Sequence, residues 1–248
     1  MSGFAQTLLI PDWPAPASVQ ACVTTRAGGV SASPYDSLNL GDHVGDAPEA
    51  VAINRRRLTE HFDIQPAWLS QVHGVVVAEA DPARIVEADG SWTATPGIAC
   101  TVMTADCLPA LFCDRAGSRV AAAHAGWRGL ANGVLEATVE GMAVAPEEIL
   151  VWLGPAIGPR NFEVGGEVRE AFVSRHPHAA EAFAPGAAPG KYLADIYQLA
   201  RVRLAAAGVT AVYGGGLCTI DDTRFFSYRR ANPTGRFASL IWLNTPDA

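Results

Sequence analysis

The sequence predicts an α+β fold. Strand-like apolar runs outnumber helical patterns, and the two do not alternate strictly as a doubly wound sheet requires. The 248 residues are 49% hydrophobic and 17% charged, enough to bury a sizeable core in a single domain spanning 1–248. No repeat or linker-like stretch divides the chain.

Each element follows from its residues. Residues 1–18, with Pro11, Pro14 and Pro16, read as an edge strand and a loop. The apolar, β-branched stretch 19–25 reads as a strand ending in Gly28-Gly29, which permit unusual backbone angles. Residues 31–46 form a long, turn-rich loop with few charges, the kind that often carries function. Asp46 or Ala47 caps a helix with Pro48 in its first turn, running to Phe62 with Val51, Leu58 and Phe62 on one face. Residues 68–72 lead to His73, and 75–77 continue as a strand. The polar stretch 81–96 contains an Asp89-Gly90 turn. Three buried-strand patterns follow at 98–103, 109–114 and 119–124. They place Cys107 on a link between strands and His124 at a strand end, where α/β proteins build sites. A helix covers 129–142, burying Leu130, Val134, Leu135 and Val139. A strand at 148–153 ends in the rigid turn 154–159. Then come a helix at 164–175, a loop at 176–190, and a helix at 193–207 burying Leu193, Ile196, Leu199 and Leu204. A strand at 209–213, a segment rich in aromatics and arginine at 224–230, and a last strand at 237–243 complete the chain.

Composition narrows the function classes. A formal charge of −7 and no dense basic run beyond Arg55-Arg56-Arg57, which decorates a helix, argue against nucleic acid as a partner. The five cysteines are odd in number and none forms a Cys-x-x-Cys pair, which points to a reducing compartment rather than a disulfide scaffold. The N-terminus has no signal-peptide pattern, and no apolar run approaches the roughly 20 residues that span a bilayer. A cytoplasmic location with no membrane partner is expected.

The chemistry concentrates in Gln71-Val72-His73-Gly74, Thr104-Ala105-Asp106-Cys107-Leu108-Pro109 and Ala123-His124-Ala125-Gly126-Trp127-Arg128-Gly129. One thiol and two imidazoles, from His73, Cys107 and His124, suit a single zinc ion with an open fourth position. Asp106 is then an outer partner or proton carrier, and Arg128 an anion clamp. The spacing is far wider than in zinc fingers or His-Glu-x-x-His sites, so it specifies little by itself. Other readings of the same residues stand beside this one. Cys107 can be a thiolate nucleophile with His124 as its base, as in a thiol hydrolase. The trio can hold copper. With Cys113 or His43 as a fourth ligand, it becomes a closed, zinc-stabilised binding module without catalysis.

These motifs, with Thr25-Arg26-Ala27-Gly28-Gly29-Val30-Ser31, Pro34-Tyr35-Asp36-Ser37-Leu38-Asn39-Leu40, His43-Val44-Gly45-Asp46, Cys218-Thr219 and Ser227-Tyr228-Arg229-Arg230, strongly resemble one family. It is known as polyphenol oxidase or "multicopper oxidoreductase laccase". Its members include zinc-dependent purine nucleoside phosphorylases with adenosine deaminase and methylthioadenosine phosphorylase activity, and one branch of peptidoglycan editing factors. The resemblance covers nearly the whole chain. It implies a mixed β-sandwich flanked by helices, a cytoplasmic monomer, zinc on His73, Cys107 and His124, and a pocket using Arg26, Asn39, His43, Arg128 and Arg229.

Composition bears on the choice of activity. A multicopper cluster is built largely from imidazoles, and this chain has six His. Its only His-x-His pair, His176-Pro177-His178, falls in a Pro/Ala-rich loop. The His-x-Glu with Pro-Cys-x-x-Cys signature of zinc deaminases is also absent. The expectation is a purine nucleoside phosphorylase and adenosine deaminase, with Arg26 and Arg128 holding phosphate and Asp106 passing a proton. Removal of a misincorporated serine from a nucleotide-linked wall precursor is the alternative, and a single copper in place of zinc is compatible with the donors.

Overall fold

The computed structural model describes residues 4–245. Residues 1–3 of the expected N-terminal strand and loop, and 246–248 of the expected domain, lie outside that range.

The chain opens with β1 (Leu8–Leu9) and β2 (Val19–Thr24), which pair antiparallel, with β1 at a sheet edge as expected. After the long loop comes α1 (Pro48–Phe62), capped by Ala47 with Pro48 at its first position. Next are β3 (Gln65–Ala67), β4 (Leu69–Ser70), β5 (Val77–Glu79), β6 (Val86–Glu87), β7 (Gly90–Thr93) and β8 (Ile98–Thr104). Strands β9 (Leu108–Asp114) and β10 (Val120–Ala125) precede α2 (Trp127–Asn132) and α3 (Val134–Met142). Beyond lie β11 (Ile149–Leu153), β12 (Glu163–Gly165), α4 (Gly166–Val173), β13 (Phe183–Pro185), β14 (Lys191–Ala194), α5 (Ile196–Ala206), β15 (Ala211–Gly214) and β16 (Phe237–Leu243).

Two sheets dominate. One runs β1-β2-β16-β8-β3 and the other β15-β11-β9-β10-β7-β5. Most pairs are antiparallel, while β3–β8, β5–β7 and β11–β15 are parallel, so both sheets are mixed. Side-chain alternation explains how they stack. On β8, Cys100 and Val102 point into an inter-sheet core with Phe237 and Ile241 of β16 and Leu111, Cys113 and Ala122 of the opposite sheet. Ala99 and Met103, of opposite parity, pack outward with Leu58 of α1. On β9, Ala110 and Phe112 face outward against Leu130 of α2, Leu135 of α3 and Leu204 of α5. The fold is α+β, a mixed sandwich with helices on both outer faces. Residues buried on both sides read as largely apolar runs, which is why β8, β9, β10 and β16 are visible in the sequence.

The structure changes several boundaries. The single helix expected over 129–142 is two, because Gly133 adopts φ 111°, closes α2 through its N–H to Gly129 and starts α3. The helix expected from 164 begins at Gly166, after the short β12. Leu193 belongs to β14 rather than to α5, since Asp195 caps α5 by accepting from the Tyr197 and Gln198 amides. The loop expected at 176–190 contains a 3₁₀ turn, Pro177–Ala182, and β13. The strand expected at 75–77 starts only at Val77, with Val75 and Val76 exposed. The expected Asp89-Gly90 turn is the entry to β7, with Asp89 fully buried.

Candidate metal centre

Strand β10 organises the site. His124 is its penultimate residue, buried, and opposite Pro109 of β9. That register brings Cys107, two residues before Pro109, alongside His124. On the other flank, Ala123 pairs with Gly90 of β7, so Asp89 lies next to His124 and its carbonyl accepts the His124 amide at 2.7 Å. His73 comes from the loop between β4 and β5.

The ligating atoms of His73, Cys107 and His124 all lie within 4.8 Å of one another, so the trio can hold a metal ion. Tetrahedral zinc places its sulfur and nitrogen ligands roughly 3.5 Å apart, and Cys107 Sγ is 3.7 Å from His73 Nε2. The His124 Nδ1 is hydrogen-bonded to Asp89 Oδ1 at 2.8 Å, which leaves Nε2 for the trio. Donor chemistry and geometry both fit zinc, and copper accepts the same donors.

Asp89 does more than meet one ring. Its Oδ1 accepts the His73 N–H at 2.9 Å, and its Oδ2 accepts those of Gly74 at 2.6 Å and Val72 at 3.2 Å. Burial alone would raise its pKa, but the bonds from His124 and these amides outweigh burial and hold the carboxyl below its usual range. His73 itself sits at φ 61°, a left-handed conformation that a non-glycine residue keeps only when its surroundings enforce it. Gln71 adds a second restraint, its side-chain amide donating to the Met103 carbonyl at 2.8 Å and accepting from the Met103 N–H at 2.7 Å.

Burial opposes ionisation of Cys107. The neighbouring imidazole of His124, and to a lesser extent that of His73, more than offsets it through charge and hydrogen bonding, holding the thiol well below its usual range. Burial likewise opposes charge on His124, and the Cys107 thiolate and Asp89 reverse the sign, raising its pKa. The metal-free trio therefore pairs a Cys107 thiolate with a protonated His124, and a metal ion would displace the His124 proton on binding. Asp106, at φ 95°, has both carboxylate oxygens engaged: Oδ1 accepts from Thr219 Oγ1 at 2.6 Å and Oδ2 from the Arg229 N–H at 2.7 Å.

The trio lines a cavity of about 390 Å³. Trp127, Phe162, Ile157 and Ile196 supply apolar wall, and His43, Arg229 and Arg236 supply polar edge. Arg26 and Asn39 are not among its lining residues. Arg26 donates to the Asp36 carbonyl and carboxylate at 2.9 and 3.1 Å and lies over Phe226. Asn39 is fully buried; it holds Asp46 at 2.9 Å and accepts the Gly41 and Arg236 amides at 3.0 and 2.8 Å, fixing the loop that carries His43. Arg128 is also outside the lining, stacked on Trp127 and exposed. Cys113 is buried in the inter-sheet core, out of reach as a fourth ligand, and His43 lines the cavity outside the trio. Sequence reasoning missed Asp89 and Arg236. Asp89 was hidden in a turn-like dipeptide, whereas the only hint of Arg236 was a lone cation just before a buried strand.

A family model described as multi-copper polyphenol oxidoreductase laccase matches residues 20–244. The chain belongs to that family. Within this laccase-named family, the chain is 70% identical over 236 residues to a Pseudomonas aeruginosa protein named purine nucleoside phosphorylase, a match covering 95% of this chain and 98% of the other. It is 58% identical over 241 residues, again 95% and 98% of the two chains, to purine nucleoside phosphorylase YfiH of Escherichia coli. A solved structure from Neisseria meningitidis superposes with a TM-score of 0.94 at 54% identity, covering 96% of this chain and 100% of that one. YlmD of Geobacillus stearothermophilus superposes at 0.91 with 32% identity, covering 97% of each chain. The relatives' names support an enzyme. Among the described residues no helix is long and apolar enough to cross a membrane.

Proposed function

We propose that this family member is a zinc-dependent purine nucleoside phosphorylase, with adenosine deaminase and methylthioadenosine phosphorylase activity on the same site. One observation carries the reading: a single cavity sets a His-Cys-His trio and two arginines, Arg229 and Arg236, beside an apolar wall of Trp127, Ile157, Phe162 and Ile196. A purine nucleoside needs a flat apolar slot, and phosphate needs cations with several donors. The high identity to proteins named purine nucleoside phosphorylase adds to it.

In phosphorolysis a phosphate oxygen forms a bond to C1′ of the ribose while the C1′–N9 bond breaks and its electron pair leaves with the base. Arg229 and Arg236 are the cavity's guanidinium groups and take the phosphate in this reading, in place of Arg26 and Arg128. Burial lowers the Arg236 pKa, and Cys107 and Asp106 nearby counter that only in part. Trp127 and Phe162 are the aromatic part of the wall that takes the base in this reading. Asp106 positions rather than carries protons, because its carboxylate ties Thr219 and the Arg229 amide to the site. His73, Cys107 and His124 would hold zinc, which would supply Lewis acidity at this end of the cavity. We place the whole chain in one catalytic domain, monomeric and cytoplasmic. The laccase chemistry of the family name asks for more imidazoles than six His with one donor trio among the described residues provide.

The test is product analysis by mass spectrometry on metal-quantified protein, with adenosine offered with and without phosphate beside a serine-containing wall precursor. Phosphate-dependent release of adenine with ribose 1-phosphate is expected, together with inosine from deamination. Serine release alone would overturn the purine reading in favour of an editing amidase. Activity that survives His73→Ala or Cys107→Ala after the metal is lost would overturn the metal's part in it.

A further inference from the structure

The fully buried carboxylate of Asp89 does not line the cavity of the trio, yet it contacts two of the three donor segments. Its four hydrogen bonds divide between them. One goes to the His124 ring, and three go to the backbone N–H groups of Val72, His73 and Gly74. An imidazole with its Nδ1–H on a carboxylate is locked in one tautomer and one ring orientation, with a more basic Nε2. The three amide bonds set the backbone at His73, and with it the origin of that side chain. Gly74 eases this approach, since a Cβ there would lie 3.3 Å from Asp89 Oδ2, close enough to push the carboxylate by a few tenths of an ångström.

We propose that Asp89 is the positioning residue of the metal centre: one carboxylate orients His124 through its ring and His73 through its backbone, so that both present nitrogen to the point facing Cys107. The inference rests on the metal reading of the trio and is independent of which reaction the site performs. A purely structural carboxylate would staple the 72–74 loop and leave metal geometry alone.

Asp89→Asn separates the two roles. The amide keeps the shape, but one acceptor becomes a donor facing the loop N–H groups or His124. Cobalt(II) is titrated into metal-free full-length protein and read by its ligand-field and thiolate charge-transfer bands. The expected result is affinity about 10- to 100-fold weaker for the variant, with band positions shifted at saturation. Wild-type affinity, or weaker binding with an unchanged saturated spectrum, overturns the proposal. Wild-type protein that takes up no cobalt overturns the metal reading and this inference together. Should the variant not fold, NMR of zinc-loaded wild type decides. A solvent-protected His124 Nδ1–H resonance is expected, and rapid exchange of that proton overturns the proposal.

Discussion

Gly126 occupies a position where a side chain has no room: a Cβ there would lie 2.7 Å from His73 Cδ2 and 3.1 Å from Cys107 Sγ. The neighbours that would have to move are two metal-ligand candidates, so Gly126→Ala should disturb the trio before it disturbs the core. Its φ of −59° suits alanine, which removes backbone strain as a competing cause. Expected is a folded protein with less than one zinc per chain, read by elemental analysis; full occupancy would show that the trio tolerates the shift. The cysteines give a second residue-level test. Cys107 is partly exposed, and the paired imidazoles bring its thiol down to about 6. Burial pushes Cys100 and Cys113 up to about 12 and raises Cys22 as well. In metal-free protein at neutral pH, iodoacetamide should label Cys107 and spare those three, since only thiolate reacts. Peptide mapping that finds Cys107 unmodified would contradict this. Zinc added beforehand should protect it.

Elements were legible where one residue set satisfied both local and tertiary demands. The α1 helix shows Pro48 at its start and an apolar stripe of Val51 and Leu58, and its limits match the expectation. The stretch 237–243 is apolar except for Ser239 because β16 is buried on both faces. Where local signals conflict with long-range ones, the sequence misleads. Asp89-Gly90 has turn chemistry, but its carboxylate is captured by residues 15 to 35 positions away, which no local pattern records. Leu193 fits the helical stripe of α5, yet the Asp195 cap starts the helix after it. That cap also anchors a wall of the cavity, because α5 carries Ile196 into it. Asp195→Ala removes an acceptor for the Tyr197 and Gln198 amides, each at 3.0 Å. A loss of about 0.5–2 kcal/mol of unfolding free energy is expected from urea titration. No change in midpoint would mean water replaces the cap at no cost.

At the scale of the molecule, the trio sits where the chain crosses between sheets. Strand β8 belongs to the five-stranded sheet and β9 to the six-stranded one, and Cys107 is on the short link between them. His124 lies on the second sheet, and His73 lies on a loop tied to the end of β8 through Gln71 and Met103. A metal on these three donors therefore bridges the loop, the crossing and the sheet. An unfolded chain holds the same donors far apart in sequence, so it binds more weakly, and the difference appears as stability. With free zinc at 100 times its dissociation constant, the gain is about 2.7 kcal/mol. In a chain of this size each kcal/mol moves the melting temperature roughly 2–4 °C, so chelation should lower it by about 5–10 °C. Calorimetry on zinc-loaded and metal-free wild type measures this, with Cys107→Ala as the control. The control should melt at one temperature with or without zinc, because removing the thiolate leaves two imidazoles on a single sheet and loop. A wild type indifferent to zinc would mean that the donors meet in the fold without holding a metal. Zinc-dependent stabilisation that persists in Cys107→Ala would place the ion on other residues.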